Sequence, residues 1–217
     1  SRWMIPHFEK MLYDNGPLLA LYAQAWRASG DEFYREIAGA TADWIIREMQ
    51  GADGGYYATL DADSEGEEGK FYVWRKEEVA ELLTADQYPL FAARYGLNAA
   101  PNFEGAWHLY QAIDTEELAR VKELTERQVK EQLEAARQRL LQARAQRIHP
   151  GRDEKVLTGW NGLMIRGMAI AARALDRPEL AESARHASDF LRQNLWRDGR
   201  LLAVHKDDRA RFPAYLD

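Results

Sequence analysis

The sequence predicts an all-α chain of helical hairpins, about half of an (α/α) toroid, with short β-hairpins in its loops. Three observations predict it. Residues 15–49 laid over residues 161–195 at a constant offset of 146 give 9 identities in 35 positions, starting with Asn15-Gly16 over Asn161-Gly162. Apolar residues recur with a period near 3.6 over 17–29 and 31–50, with Tyr34, Ile37, Ala38, Thr41, Ile45 and Met49 on one face of the second stretch. Both copies then carry an Asp-Gly turn and a short strand, Gly55-Tyr56-Tyr57 in one and Arg200-Leu201-Leu202 in the other.

Each element follows from its own pattern. Only Ser29-Gly30 separates the first two helices, so they form an αα-hairpin. Tyr56–Leu60 and Lys70–Trp74 are short aromatic alternations that read as strands flanking the acidic turn between them. Residues 76–83 and 86–96 read as helices. Residues 115–147 read as one long charged helix, because Val129, Leu133, Ala136, Leu140 and Ala143 recur at four and three residues and give a narrow packing seam. The repeat units then run over about 15–60 and 161–205, with a helical region inserted at about 76–150, all within one domain. A closed ring of such hairpins needs about as many again, so a fragment of a longer protein is expected.

Composition excludes several classes. The chain has 217 residues, 46% of them hydrophobic and 29% charged, enough to bury roughly 70% of its surface. A net charge of -6 and a pI near 5.5 give no basic footprint for nucleic acid. The absence of cysteine removes disulfides, thiolate chemistry and cysteine-based zinc sites, and fits a cytoplasmic location. No stretch approaches the roughly 20 apolar residues of a membrane helix, so no membrane partner is expected. No phosphate loop, nucleophile elbow or dinucleotide fingerprint occurs, and His108, His149, His186 and His205 show no metal-ligand spacing. No cofactor and no metal are implied.

Chemistry-bearing residues concentrate at three places. Trp3 to Asn15 sets His7, Glu9, Asp14 and Asn15 among aromatics just ahead of a helix. Asp61-Ala-Asp-Ser-Glu-Gly-Glu-Glu-Gly69 precedes Lys70-Phe-Tyr-Val-Trp74, and Asp153 to Ile165 holds Trp160-Asn161-Gly162. These three blocks, in this order, resemble the spermatogenesis-associated, thioredoxin-domain-containing protein family, with Gly159 as a small departure at a turn. The resemblance implies a thioredoxin-like domain ahead of a toroid similar to the six-hairpin glycosidases and the N-acylglucosamine 2-epimerases. This chain corresponds to the first half or so of that toroid.

In such a toroid the loops at one end form a cleft, where aromatics stack on sugars while carboxylates and histidines move protons. His7, Glu9, Asp61 and Asp63 are therefore the candidate acids and bases of an epimerase- or glycosidase-like reaction. Trp3, Asp14, Asn15, Glu67, Glu68, Trp74, Trp160 and Asn161 are the candidate substrate contacts. Structural readings stand beside these. His7 can pack at the helix entrance, Asp14-Asn15-Gly16-Pro17 and Asn161-Gly162 can serve as helix starts, and Trp160 can belong to the core. Asp61, Asp63, Glu65 and Gly66 fit the first half of an EF-hand-like loop, but Tyr72 at the twelfth place breaks it, which leaves either a carboxylate cluster or a solvated turn. The expected partners are a sugar and the family's thioredoxin-like domain, with self-association through open hairpin faces. The alternative function is a non-catalytic interaction domain serving that thioredoxin-like partner.

Overall fold

A computed structural model describes residues 5–215, so Trp3 lies outside the described residues. Eight helices are seen among them, α1 (Leu12–Ser29), α2 (Glu32–Trp44), α3 (Lys76–Leu82), α4 (Gln87–Arg94), α5 (Thr115–Lys122), α6 (Glu126–Arg144), α7 (Thr158–Leu175) and α8 (Pro178–Asn194). Nine short strands accompany them: β1 (Lys10–Met11), β2 (Thr59–Leu60), β3 (Asp63–Ser64), β4 (Glu67–Glu68), β5 (Arg152–Asp153), β6 (Val156–Leu157), β7 (Trp196–Arg197), β8 (Arg200–Lys206) and β9 (Arg209–Pro213). The chain is helix-rich, but these strands mean that it is not purely α. Two units share it. The first, the hairpin unit, joins Glu9–Asp61 to the segment from Gly151 onward; the second, the middle unit, joins the residues through Phe8 to Ala62–Pro150.

In the hairpin unit the repeat becomes two helical hairpins, α1 with α2 and α7 with α8. Their apolar stripes meet in one core of Leu12, Leu19, Ile45, Met49, Tyr56, Met164, Met168 and Leu180, each less than 2% exposed. Helices α1 and α7 approach so closely that a Cβ placed on Gly16 would lie 2.8 Å from the Leu163 carbonyl and the Met164 nitrogen. A Cβ on Gly167 would run into the Gly16 carbonyl oxygen. Asp31 caps α2, its carboxylate accepting from Phe33 N–H at 3.0 Å. The expected helix over 31–50 leaves α geometry at Trp44 and ends in a wider, π-type turn over Ile45–Met49. A three-stranded sheet of order β1-β2-β5 and a sheet in which β8 pairs with β6, β7 and β9 complete the unit.

Both expected helix starts lie too far along the chain. Leu12 N–H donates to Ala58 O at 2.9 Å, which anchors the first turn of α1 ahead of Asp14 and Asn15. Asn15 then sits inside the helix and its Nδ2 donates to Met11 O at 2.7 Å. Asn161 does the same one repeat later, its Nδ2 donating to Leu157 O at 3.0 Å.

Tyr56 joins these hairpins at the centre of the core. Its hydroxyl lies 2.6 Å from Ser183 Oγ, and burial pushes the phenol up to about 12, the Ser183 hydrogen bond working weakly the other way. The unfolded chain ionises this phenol near pH 10 and the folded chain does not. The stability tied to Tyr56 is therefore whole below pH 10 and falls as the pH rises from there toward about 12, by about 2–3 kcal/mol in all. Urea titrations from pH 8 to pH 12 check this, and the alkaline loss should shrink in Tyr56→Phe.

The middle unit packs α3, α4, α5 and α6 around Val79, Phe91, Leu97, Leu118, Val129 and Ala136. The predicted helix over 115–147 is two helices. The chain turns at Glu123, with φ 54°, and restarts with Thr125 Oγ1 accepting from Gln128 N–H at 3.2 Å while Gln128 Oε1 accepts from Thr125 N–H at 2.9 Å. This reciprocal cap satisfies two otherwise orphaned donors, and Thr-x-x-Gln was its sequence signal. The predicted seam survives, with Val129, Leu133, Ala136 and Leu140 all buried.

The predicted hairpin around the acidic turn is also corrected. The pairing lies inside the turn, Asp63 with Glu68 and Ser64 with Glu67, whereas within Lys70–Trp74 only Trp74 forms a bridge, to Trp107. Glu65 and Gly66, with φ 55° and 77°, make the two-residue turn whose twist suits an antiparallel pair.

Candidate functional site

The middle unit contains a cleft of about 490 Å³ between the β3–β4 hairpin, the 71–78 segment, the 103–106 turn and residues 146–148. Two turns of one kind present its acids. Glu65-Gly66 closes β3 and β4, while Glu104-Gly105, with φ 46° and 79°, closes the pair Phe103 and Ala106. Glu67, Glu68 and Glu104 line the cleft with Phe103, Lys70 and Arg75. Lys70 Nζ lies 2.6 Å from Glu67 Oε1 and 3.5 Å from Glu65 Oε2. The Glu67 hydrogen bond and the Glu65 charge hold the Lys70 ammonium above its usual range.

Aromatic packing sets the floor. Phe8, only 2% exposed, has its ring centroid 5.1 Å from Phe103, 5.8 Å from Tyr72 and 5.8 Å from His108. It thus holds the Phe103 ring against the cleft. Trp74 is also buried, and the Arg147 guanidinium lies 4.1 Å from its ring centroid. Arg147 is fixed there by donating to Phe71 O and Val73 O, both at 2.8 Å, and to Glu78 Oε1 at 2.7 Å. The indole face that a sugar would stack on is therefore taken by an arginine.

Of the residues singled out from sequence, Glu67, Glu68 and Trp74 are brought together by this cleft. His7, Glu9, Asp61 and Asp63 are all exposed and do not line it. His7 and Asp63 belong to the middle unit, Glu9 and Asp61 to the hairpin unit. In the hairpin unit, Asp14 is exposed and Trp160 meets Tyr13 edge to face at 4.8 Å. Asn161, fully buried, receives Tyr56 N–H at 2.9 Å and donates to Tyr56 O at 2.9 Å, which makes it a structural clamp between the two repeats. Phe103, Glu104, Arg75 and Arg147 were missed. The signal available for Glu104 was its Glu-Gly dipeptide, the same pair that closes the acidic turn at Glu65-Gly66.

Among the described residues no group of three His, Asp or Glu could hold a metal ion, and no helix is long and apolar enough to cross a membrane. No family model matches the chain. Two solved structures align with most of it: D-mannose isomerase, at 11% identity over 92% of this chain and 46% of that one, with a TM-score of 0.28, and cellobiose 2-epimerase from Spirochaeta thermophila, at 11% over 97% and 49%, with a TM-score of 0.29. An uncharacterized protein of Caenorhabditis elegans is 29% identical over 226 residues, covering 93% of this chain and 31% of its own length. Spermatogenesis-associated protein 20 is 34% identical in Mus musculus, over 222 residues, and 34% identical in Homo sapiens, over 230 residues. The alignments cover 90% and 93% of this chain but 28% and 29% of those proteins, so the chain is homologous to a segment, under a third in length, of spermatogenesis-associated protein 20.

Proposed function

We propose that the chain is a carbohydrate-binding part of a larger toroid of helical hairpins, with a sugar held in the cleft of the middle unit. The observation that carries this reading is the meeting of Glu67, Glu68 and Glu104 with the Phe103 ring in one cleft of about 490 Å³. Carboxylates accept hydrogen bonds from vicinal hydroxyls, and a fixed ring edge shields the apolar face of a pyranose.

Titration of the chain with neutral, amino and acidic sugars, read by melting temperature and calorimetry, tests the reading. A sugar at about ten times its Kd should raise the melting point by about 3–6 °C. Glu68→Gln should remove that rise while leaving the unliganded melt nearly unchanged, and Phe103→Ala should remove it while also lowering the unliganded melt, because the ring packs edge to face on Phe8. A panel with no response from the folded chain would turn the assignment toward the second reading, a non-catalytic interaction domain serving a thioredoxin-like partner. One observation favours that alternative: Leu18, Leu21 and Leu163 are 45%, 59% and 38% exposed on α1 and α7.

A further inference from the structure

The middle unit holds a second cavity, of about 290 Å³, between α4, the 109–111 segment and α6. Four rings line it, those of Trp74, Phe91, Tyr95 and Tyr110, together with Leu140 and Leu141. Trp74, Phe91 and Leu140 are buried, while Tyr95, Tyr110 and Leu141 are half-buried. Three glutamates line the first cleft, but among the described residues no carboxylate lines this one.

Its walls are held by the fold itself. The Tyr95 ring centroid lies 4.5 Å from that of Phe91, one helical turn back, and the Arg94 guanidinium lies 5.9 Å from the Tyr95 centroid. Gly96, with φ 80°, lets the backbone approach Tyr110, since a Cβ there would run into the Tyr110 ring. Ala112 N–H donates to Arg94 O at 2.9 Å and the Arg94 guanidinium donates to Ile113 O, which ties this segment to the end of α4.

The charged and amide groups that α6 brings to the cavity already have partners. Arg137 pairs with Glu134, Gln138 Nε2 donates to Glu134 Oε1 at 2.7 Å, and the Arg144 guanidinium lies 5.4 Å and 5.7 Å from the Phe71 and Tyr72 ring centroids. Tyr95 and Tyr110 differ, for among the described residues neither hydroxyl makes a hydrogen bond. Preformed apolar and aromatic walls with a few free polar groups are the usual make-up of a small-molecule site, and this cavity lies at the lower end of their range of roughly 300–1,000 Å³. That size suits one or two fused rings. Sugar hydroxyls would meet no carboxylate here, whereas an aromatic ligand gains edge and face contacts from the four rings.

We propose that this cavity binds a flat, uncharged molecule of one or two fused aromatic rings, its ring against Trp74, Phe91, Tyr95 and Tyr110 and its polar substituent hydrogen-bonded to the hydroxyls of Tyr95 and Tyr110. The site takes a different class of ligand from the acidic cleft, and either assignment can fail without the other.

The test is calorimetric titration of the chain with 2-naphthol and with decahydro-2-naphthol, which shares its skeleton and hydroxyl but has no aromatic ring. Saturable binding of 2-naphthol is expected, about fivefold tighter than that of the saturated compound. Leu141→Trp, which fills the cavity, should abolish it, whereas Leu124→Trp, the same exchange at an exposed position outside the cavity, should leave it unchanged. The double variant Tyr95→Phe with Tyr110→Phe keeps both rings and should bind about fivefold more weakly. Equal affinity for the two compounds would overturn the aromatic class of the ligand, and full affinity in the double variant would overturn the role of the hydroxyls. No binding of 2-naphthol, or binding that survives Leu141→Trp, would overturn the site itself, and unchanged circular dichroism in each variant shows that loss of binding is not loss of fold.

Discussion

Gly167→Ala is expected to destabilise the hairpin unit by about 2–3 kcal/mol, the range of an overpacked core. The added methyl has no empty space to enter, because it meets the Gly16 carbonyl oxygen, and a backbone atom cannot swing away as a side chain can. Helices α1 and α7 must separate, and that loosens Leu12, Leu19, Met164 and Met168 together. Gly16→Ala is expected to cost a similar amount, since its Cβ would lie 2.8 Å from the Leu163 carbonyl and the Met164 nitrogen. Gly162 is the repeat partner of Gly16, yet nothing lies within 4 Å of a Cβ built on it. Gly162→Ala should therefore stabilise the chain by about 0.5–1 kcal/mol, the usual gain of alanine over glycine inside a helix. Chemical denaturation of the three variants decides the matter. Equal effects at Gly16 and Gly162 would show that the repeat, and not the α1–α7 contact, sets the need for glycine.

Asn161→Ala is expected to cost about 3 kcal/mol. The side chain makes three hydrogen bonds of 2.9–3.0 Å, two of them to the backbone of Tyr56. Tyr56 is fully buried, so alanine would strand its N–H and its carbonyl away from water. Asn15→Ala removes one bond, to Met11 O, at a half-buried position, and should cost about 1 kcal/mol. Urea unfolding of the two variants measures the difference. A cost at Asn161 no larger than at Asn15 would show that the clamp on Tyr56 contributes nothing.

These pairs also show where the sequence was legible. The offset of 146 correctly matched Asn15 with Asn161, and both side chains do return to the carbonyl four residues back. What the offset could not show is that Asn161 also reaches Tyr56, 105 residues away. The α6 seam was readable because Val129, Leu133, Ala136 and Leu140 are neighbours on a single helix. The break before α6 had a local signal in Thr125 and Gln128 that the longer periodicity masked. The acidic block was seen as a turn, but the aromatic segments expected to pair across it do not pair with each other; the pairing lies inside the block, where Glu65 and Gly66 adopt positive φ.

The sequence by itself determined the two helical hairpins, the apolar faces they bury and the charge carried by each helix, because all of these depend on residues three or four apart on one helix. Tertiary structure alone decided which side chains are left for a ligand. Trp74 lost its open face to Arg147, 73 positions along the chain, and Phe103 was set in the cleft by Phe8. Glu68 and Glu104, far apart in sequence, came to line one cleft. A side chain binds a ligand only where the fold has not already given its charge or its ring a nearer partner, and that competition is settled across distances in sequence that no local pattern spans.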